Sequence, residues 1–483
     1  MAQLLPNEPL FTHLLQLANE VKHVIVHDAE NGVDANCTHL LHDVFQMRKM
    51  LRQSLTETVF DTARNSLKES NPYVLILSPG NYGFIVAALS VLSISGAFAP
   101  LATGLLPEEL FHLFQTCNAL CVLADQQCLP LAEECQKHAA SQGVNITVLP
   151  IIYGNTSSKK HTNPDFYFEI DPKLTVAPHR PALMLYTSGT SGPPKGVVHT
   201  RRLFNDMHSF ANTDEVVLSH TPPHWASGLV TLLGSVLAGA RTEIVCQNAK
   251  AIWQRLREGG VTSLGGSPRF WANMRIYFQD HLSRLPPDER NAYVRGFQFL
   301  TKAATRGSMP DPGLLRFFRE ELGQRLHICY GITELGSTAM RTSNDTDVNL
   351  ERCIGRPVPG VTAKLSNGDH GELLIKKFSI FSQSSVHGLC HLRASLPMFM
   401  LPTALRILKD GEEIPRTLSM KVIKGKAVEK YFLPTKTSQL YNDVETWDPT
   451  KTEDIWPQKP WDWGGLRVGR DLQQHRGGPE VLF

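Results

Sequence analysis

The chain has 483 residues, with 48 basic and 46 acidic side chains and a formal net charge of +2. This length allows two or more domains and a sizeable hydrophobic core. The balanced charge gives no electrostatic indication of a nucleic-acid partner or an anionic membrane surface, and no apolar run is long enough to span a membrane.

The cysteines and the N-terminus indicate a reducing, cytoplasmic environment. The nine cysteines are scattered, without a Cys-x-x-Cys pair or a histidine partner at zinc spacing. The N-terminal residues, Met1–Pro6, have no basic segment before an apolar core, so they are not expected to form a signal peptide.

Apolar runs predict strands that alternate with helices along the chain. A short strand is predicted at Val24–Val26, followed by a helix with one apolar face over Leu41–Leu55. A buried strand is predicted at Tyr73–Leu77 and an apolar helix from Phe84 to Ser95. Further strands are predicted at Phe98–Leu101, Leu120–Leu123, Ile146–Ile152, Ala182–Tyr186, Val216–Leu218, Glu243–Val245, Phe297–Leu300 and His327–Tyr330.

This alternation predicts an α/β fold, with stacked, mostly parallel sheets and helices on their faces. Ligand-binding loops then belong at the carboxyl ends of the strands. Two glycine-containing motifs follow predicted strands at such places.

The first motif, Tyr186–Gly196, follows the strand Ala182–Leu185 and reads Tyr-Thr-Ser-Gly-Thr-Ser-Gly-Pro-Pro-Lys-Gly. Backbone N–H groups and hydroxyls of such a loop can converge on one anion, with the lysine as a counter-charge. Walker-type spacing is absent, and the two prolines prevent a helix from starting before the lysine. The motif therefore predicts a polyphosphate site formed by Thr187, Ser188, Gly189, Thr190, Ser191, Gly192 and Lys195. The alternative interpretation is a flexible surface loop.

The second motif, Tyr330–Gly336, ends a predicted strand and reads Tyr-Gly-Ile-Thr-Glu-Leu-Gly. A tyrosine ring there can lie on a nucleotide base, and Gly331 allows close approach of the ligand. Thr333 can donate its hydroxyl to an α-phosphate, and the carboxylate of Glu334 can bind Mg²⁺. Taken alone, the pattern is short enough to be a plain turn.

In this order, the two motifs closely resemble the signatures of the adenylate-forming (AMP-binding) superfamily, which includes acyl-CoA synthetases, luciferases and peptide-synthetase adenylation domains. The resemblance covers residues 20–375 well and residues 400–432 in fragment. It implies a large N-terminal adenylation domain over residues 1–375. The motif spacing is similar to that of small-acid synthetases, including malonyl-CoA synthetase.

The same resemblance implies an acyl pocket. His224 lies in a Thr-Pro-Pro-His-Trp-Ala-Ser-Gly segment similar to one that carries a pocket histidine in acyl-CoA synthetases. The alternative for His224 is a loop residue beside a packed tryptophan. Ala303 and Ala304 stand where relatives have a glycine-rich loop against the adenine and acyl groups, and their methyl groups are expected to narrow the pocket.

After Ile375 the sequence departs from the family. A barrel-like subdomain, a Tyr-x-Thr-Gly-Asp segment and a hinge are missing, and residues 376–399 form a shortened linker region. Residues 400–432 resemble the end of the C-terminal domain, where Lys421 matches the lysine that assists adenylation; the alternative is a solvated charge. Residues 433–483 are predicted to be a disordered tail.

The function that the resemblance implies is an ATP-dependent acid–CoA ligase, which uses ATP, Mg²⁺, coenzyme A and a small carboxylic acid. The catalytic residues would be Lys421, Glu334 and Thr333. Two alternatives remain: a catalytically impaired relative that only binds nucleotide, because of the internal truncation, and an adenylating enzyme that serves a separate carrier protein.

Overall fold

The computed structural model describes residues 3–61, 66–70, 73–154, 167–187, 195–205, 207–336, 338–346, 352–367 and 370–377, together with short strands at 392–393, 404–407, 444–446 and 481–482. The described residues divide into two compact units. The first contains those within Met1–Tyr186, Gly196–Ala363 and Ile375–Gly388, and the second contains those within Thr187–Lys195, Lys364–Leu374 and Leu389–Phe483. The domain boundaries drawn from the sequence stay predictions.

Most helices begin at a residue that suits a helix N-terminus. Asn81 and Asp311 each accept a backbone N–H of the first turn through a side-chain oxygen at 3.0 Å, which satisfies a donor that the helix itself cannot pair. The α-helices of the described residues are α1 (Pro9–Glu20), α2 (Cys37–Ser54), α3 (Tyr82–Ser93), α4 (Pro107–Thr116), α5 (Leu129–Ser141), α6 (Arg202–Asn205), α7 (Ala226–Leu237), α8 (Ala249–Arg257), α9 (Pro268–Tyr277), α10 (Pro287–Gln298) and α11 (Pro312–Glu320).

The strands are short, and several of them carry the apolar runs of sheets that are covered on both faces. They are β1 (Gln3–Asn7), β2 (Val26–Asp28), β3 (Val33–Ala35), β4 (Phe60–Asp61), β5 (Ser66–Leu67), β6 (Tyr73–Leu77), β7 (Ala97–Leu101), β8 (Val122–Ala124), β9 (Val148–Pro150), β10 (Phe168–Thr175), β11 (Pro181–Thr187), β12 (Lys195–Thr200), β13 (Val216–Ser219), β14 (Arg241–Ile244), β15 (Ser263–Gly266), β16 (Lys302–Arg306), β17 (His327–Gly331), β18 (Thr338–Arg341), β19 (Arg356–Pro357), β20 (Val361–Asn367), β21 (His370–Lys377), β22 (Leu392–Arg393), β23 (Ala404–Ile407), β24 (Val444–Thr446) and β25 (Val481–Leu482).

Two large sheets organise the chain. One has six strands in the order β12-β11-β7-β6-β8-β9, and its five strands from β11 to β9 pair in parallel. The other has nine strands in the order β19-β18-β17-β16-β15-β13-β14-β2-β3. Its six central strands, from β17 to β2, are parallel, and the strands at both edges are antiparallel. The α/β architecture predicted from the sequence is confirmed.

Helix α3 lies in the largest hydrophobic core. All of its residues are buried, as expected for a helix that is apolar on every side. A second core packs α8 to α11 around the aromatic rings of Trp253, Trp271, Phe297 and Phe318. This second core supports the strands β15 and β16, whose carboxyl ends carry the candidate site.

One predicted strand is wrong. Phe297 is on α10 and Leu300 follows its C-terminus, whereas the strand β16 begins at Lys302. Phe297 is fully buried between Trp253 and Phe318, at ring-centroid distances of 5.3 Å to each. The apolar run is therefore explained by residues that are buried at the end of a helix. A short apolar run does not distinguish a buried strand from a buried helix segment.

The second unit contains short strands in the C-terminal part of the chain. β23 pairs with β24 and with β25. β24 and β25 lie within residues 433–483, for which the sequence predicts a disordered tail. Lys421, the rest of the tail, and residues 378–391 and 394–399 of the predicted linker lie outside the described residues.

Within the part of the chain that the structure describes, no helix is both long and apolar enough to cross a membrane. The cysteines in this part are all free thiols. The cytoplasmic location stays a prediction.

Candidate functional site

The candidate site of the first unit lies at the carboxyl edge of the nine-stranded sheet. β17, β16, β15 and β13 are neighbours in that order and run parallel, so their carboxyl ends meet at one edge. This is where parallel α/β sheets bind ligands. The chain leaves these strands at Gly331, Arg306, Gly266 and Ser219, respectively.

The motif Tyr330–Gly336 forms the end of β17 and a single helical turn after it. Thr333–Leu335 is a short 3₁₀-helix that ends at Gly336, which has φ 69° and donates its N–H to the carbonyl of Thr333 at 3.0 Å. Leu335 is fully buried and anchors the turn, whereas Thr333 is partly buried and Glu334 is exposed. The turn therefore presents a hydroxyl and a carboxylate at the sheet edge.

Gly336 is required at this place for two reasons. Its positive φ favours glycine, and a Cβ there would lie 3.0 Å from Leu203 Cδ1 and 3.1 Å from His199 Cε1. The turn that carries Thr333 and Glu334 is thus held closely against the segment around α6.

His224 lies in a tight turn between β13 and α7. The Trp225 N–H donates to the carbonyl of Pro222 at 3.2 Å, and the rings of His224 and Trp225 meet edge to face at 5.7 Å. Burial lowers the pKa of His224 to about 4, so its imidazole is neutral near pH 7. A neutral imidazole beside an indole suits the wall of a pocket for an organic acid.

Ala303 and Ala304 lie inside β16 and not in a loop. Ala303 belongs to the second core, and the carbonyl of Ala304 accepts the Trp271 indole N–H at 2.9 Å. The loop after this strand begins at Gly307, with φ 95°. The role of the two alanines as pocket residues stays a prediction, and their place in the strand puts Arg306 nearer to the loop.

Arg306 and His220 were not singled out by sequence reasoning. Arg306 is the last residue of β16, and its Nη1 donates to the Thr231 hydroxyl on α7 at 3.2 Å. His220 directly follows β13 and stacks on Phe270, with ring centroids 4.2 Å apart. The available signal was their position, because each is a polar residue at the carboxyl end of a parallel strand.

His220 is a neutral hydrogen-bond donor. It is buried, and its Nε2 lies 2.7 Å from the carbonyl of Gly265, which can only accept, so Nε2 carries the proton. Burial, with a smaller contribution from the charge of Arg306, lowers the pKa of His220 to about 4. His220 therefore ties the end of β13 to β15 without adding a charge.

Thr187 and Lys195 belong to the first motif, Tyr186–Gly196, and lie in the second unit. Thr187 ends β11 and Lys195 begins β12, and the Thr187 hydroxyl donates to the carbonyl of Lys195 at 3.2 Å. Lys195 is exposed. Residues 188–194, which include Ser188, Gly189, Thr190, Ser191 and Gly192, lie outside the described residues.

The side chain that could hold a metal is Glu334. Among the described residues no group of three or more His, Cys, Asp or Glu side chains could hold a metal ion. Mg²⁺ is commonly bound by one or two carboxylates together with the phosphates of a substrate. A single exposed carboxylate at the strand end fits that mode of binding and not a metal site made entirely of protein ligands.

We expect His220 to make the folded state sensitive to acid. Its pKa is about 6.5 in the unfolded chain and about 4 in the fold, so between these values the unfolded state binds more protons. Stability is therefore lost as the pH falls through this window, by up to about 3 kcal/mol for this residue. Gln at this position can donate the same hydrogen bond but does not titrate.

The measurement is the free energy of unfolding in urea at pH 7, 5.5 and 4.5 for the parent and for His220→Gln. As the pH falls, the free energy of unfolding of the parent should decrease more than that of His220→Gln. A difference that stays constant over this range would contradict a buried, neutral His220.

Comparisons with known proteins agree with the motifs. The family model of AMP-binding enzymes matches residues 64–382, more than half of the chain. The acyl-CoA ligase oryP of Aspergillus oryzae is 28% identical over 89% of this chain and 93% of its own length. A malonate–CoA ligase of Arabidopsis thaliana is 26% identical over 62% of this chain; the match spans 52% of that relative, about half its length.

Solved structures show the same fold. A benzoate CoA ligase from Burkholderia xenovorans has a TM-score of 0.58 at 18% identity, over 77% of this chain and 71% of that protein. MatB from Rhodopseudomonas palustris has a TM-score of 0.58 at 17% identity, over 76% of this chain and 70% of that protein. With both sequence motifs and a family model that covers most of the first unit, the chain belongs to the family of AMP-binding, adenylate-forming enzymes, and acyl-CoA ligases are among its relatives.

Proposed function

We propose that this protein is an ATP-dependent acid–CoA ligase. In the first step a carboxylate oxygen of the acid attacks the α-phosphate of ATP, which gives acyl-AMP and releases pyrophosphate. In the second step the thiol of coenzyme A attacks the acyl carbon, which gives the thioester and releases AMP. Family membership and the names of the relatives, an acyl-CoA ligase and malonate–CoA ligases, support this proposal.

The observation that carries the proposal is the turn after β17, at the carboxyl edge of the sheet. Tyr330 and Gly331 offer a ring and an open backbone for the adenine, and the Thr333 hydroxyl can donate to the α-phosphate. Glu334 would hold Mg²⁺, which supplies charge neutralisation on the phosphates when it is bound. These groups are all provided by one short segment that a buried leucine fixes in place.

Charge neutralisation is the main physical task of such a site. Both ATP and the acid are anions, so they repel each other until cationic and N–H groups hold them together. Lys195 and the loop from Thr187 to Gly192 would bind the β- and γ-phosphates. Lys421 would act on the oxygens at which the carboxylate meets the α-phosphate.

The acid would lie near His224. The neutral imidazole of His224 and the indole of Trp225 would form an apolar wall with polar edges. An uncharged part of the substrate can pack against such a wall, because the wall carries no charge that would have to be removed from water. The identity of the acid is determined by assaying a panel of acids. The panel includes malonate, because some relatives are named malonate–CoA ligases.

The test is pyrophosphate exchange into ATP by the purified protein, measured with a panel of short and medium acids, followed by assay of the CoA thioester. Exchange and thioester formation with at least one acid are expected. Exchange without transfer to coenzyme A would favour a separate carrier protein as the acceptor. Binding of ATP without exchange for any acid would favour the nucleotide-binding relative and reject the ligase.

We expect Lys195→Ala to weaken MgATP binding by about 1–3 kcal/mol, the loss of one charge-assisted contact. Lys250→Ala is the matched control, because Lys250 is an exposed lysine on α8 that belongs to neither motif. Calorimetric titration of both variants with MgATP is the measurement. Equal affinity in Lys195→Ala and the parent would remove the lysine from the phosphate site.

A further inference from the structure

Three arginines form a basic surface at one side of the nine-stranded sheet of the first unit. Arg341 ends β18, and Arg356 begins β19, the outermost strand on this side. Arg325 lies two residues before the start of β17. Arg341 and Arg356 are exposed, and Arg325 is partly buried. These three residues are called the edge arginines below.

Two of the edge arginines lie directly opposite each other. In the antiparallel pairing of β18 with β19, Arg341 and Arg356 are register partners. Register partners of an antiparallel pair project from the same face of the sheet, with Cβ atoms about 5 Å apart, and like charges in this position are destabilising. The free protein therefore gains no stability from placing these two charges together.

The imidazole of His327 connects the third arginine to this pair. Arg341 is also the register partner of Cys329 on β17. His327 is two residues earlier on that strand, so it shares the face of Cys329 and Arg341. Burial lowers the pKa of His327, and the charges of Arg325 and Arg341 lower it further. Both guanidinium groups thus act on one imidazole, and the edge arginines form a single cluster.

The described part of the chain supplies no acidic partner for this cluster. None of the ion pairs among the described residues includes Arg325, Arg341 or Arg356. Asp345, an exposed residue of the turn after β18, is in none of them either. Arg325 donates from Nη1 to the carbonyl of Asn344 at 3.0 Å, which is a neutral acceptor. The positive charge of the cluster is left for a partner to neutralise.

The spacing of the edge arginines fits carboxylates on one face of a helix. Arg341 and Arg356 are close enough to share a single carboxylate, since its two oxygens can accept from both. Arg325 is four residues before Cys329, the partner of Arg341, a distance of about 13 Å along an extended chain. Carboxylates two turns apart on a helix are separated by about 11 Å. Flexible arginine side chains can close the difference.

Other anions fit this surface less well. A single phosphate or sulfate is too small to contact charges that are spread over about 10 Å. A nucleic acid normally binds a larger basic surface, whereas the net charge of this chain is only +2.

We propose that the edge arginines form a docking surface for a partner protein that presents an acidic helix, with carboxylates about two turns apart on one face. The inference goes beyond the proposed ligase function and does not depend on it. β18 runs antiparallel to β17, away from its carboxyl end, and stops at Arg341. The docking surface is therefore separate from the turn that carries Thr333 and Glu334.

The experiment measures the binding of two labelled, alanine-based helical peptides to the purified full chain by fluorescence anisotropy, at 50 and 300 mM NaCl. The one-face peptide carries four glutamates along one side of the helix. The scattered peptide has the same composition and charge, with the glutamates distributed around the helix. The parent should bind the one-face peptide at least about 5-fold more tightly, and salt should weaken this binding.

Charge-neutral variants test the residues. Arg341→Gln combined with Arg356→Gln should weaken binding of the one-face peptide by about 5- to 30-fold, as expected when two exposed charge pairs are lost. Arg284→Gln combined with Arg295→Gln is the matched control, because both are exposed arginines outside β17, β18 and β19. The control should bind the peptide as the parent does.

Arg356→Glu separates a docking role from a structural one. It replaces the like-charge pair with an opposite-charge pair across from Arg341, so the urea midpoint of unfolding should rise. The same variant should lose its preference for the one-face peptide. A surface kept for the stability of the sheet would show the opposite change in the midpoint.

Four results would overturn the proposal. These are equal or no binding of the two peptides by the parent, unchanged affinity in the Arg341 and Arg356 double variant, an equal loss in the control, and a lower urea midpoint in Arg356→Glu. A single-stranded RNA that binds more tightly than the one-face peptide, and is lost in the double variant, would assign the surface to nucleic acid instead. None of these measurements uses ligase activity, so a failure of the proposed function leaves the test unaffected.

Discussion

Arg201→Met is expected to lower the free energy of unfolding by about 3–5 kcal/mol, the cost of breaking a buried ion pair on one side only. Arg201 and Glu8 are both almost fully buried, with Nη1 and Oε1 2.6 Å apart. The guanidinium also donates to the carbonyls of Leu92 at 3.0 Å and Gly96 at 2.9 Å. Methionine fills much of the volume but leaves a buried carboxylate and two carbonyls without these donors.

The neighbouring residue supplies the control. Arg202 is exposed at the start of α6, so Arg202→Met should change stability by less than about 0.5 kcal/mol. Combining Arg201→Met with Glu8→Gln should recover part of the loss, because the orphaned charge is then absent. Urea unfolding of these proteins is the measurement. If Arg201→Met costs no more than Arg202→Met, the buried pair does not contribute to stability.

The strands of the large sheets were accessible from the sequence because they are buried on both faces. Such strands have continuous apolar runs in the sequence. The strand Tyr73–Leu77, whose interior residues are all apolar, is therefore predicted with its observed bounds. Edge strands such as β18 and β19 were missed, because half-exposed pairs carry mixed residues that resemble loops. Phe297–Leu300 was assigned to a strand, although tertiary packing had placed its apolar residues at the end of a helix.

The candidate site divides in the same way. Tyr330, Thr333 and Glu334 were identified because they are close in sequence and form a motif whose chemistry is readable locally. Arg306 and His220 are recognised only through their contacts with distant parts of the chain. Arg306 contacts Thr231, which lies 75 positions earlier. His220 contacts Gly265, which lies 45 positions later. No local pattern reports such contacts. The same holds for Arg201 and Glu8, which are 193 positions apart.

The second large effect is expected from Gly228→Ala, at the first turn of α7. A Cβ at Gly228 would lie 2.1 Å from the carbonyl oxygen of Pro222 and 2.6 Å from that of Thr221. Both are backbone atoms of the turn that carries His224, so relief requires the turn itself to move by about an ångström. A displacement of that size at a substrate-positioning group can reduce a rate about 100-fold. We therefore expect acid-dependent pyrophosphate exchange to fall by this order, with MgATP affinity unchanged.

Gly234→Ala is the matched control on the same helix. Its Cβ would meet the ring of Phe210, with Cγ at 2.9 Å, and a side chain can shift where a carbonyl in a tight turn cannot. Both substitutions add the same methyl group and the same gain in helix propensity, so intrinsic effects on α7 cancel in the comparison. Gly234→Ala should lose about 1–3 kcal/mol of stability at most and retain exchange. Equal exchange by Gly228→Ala and the parent would mean that the position of the turn does not control the reaction, and His224 would then lose its assignment to the acid.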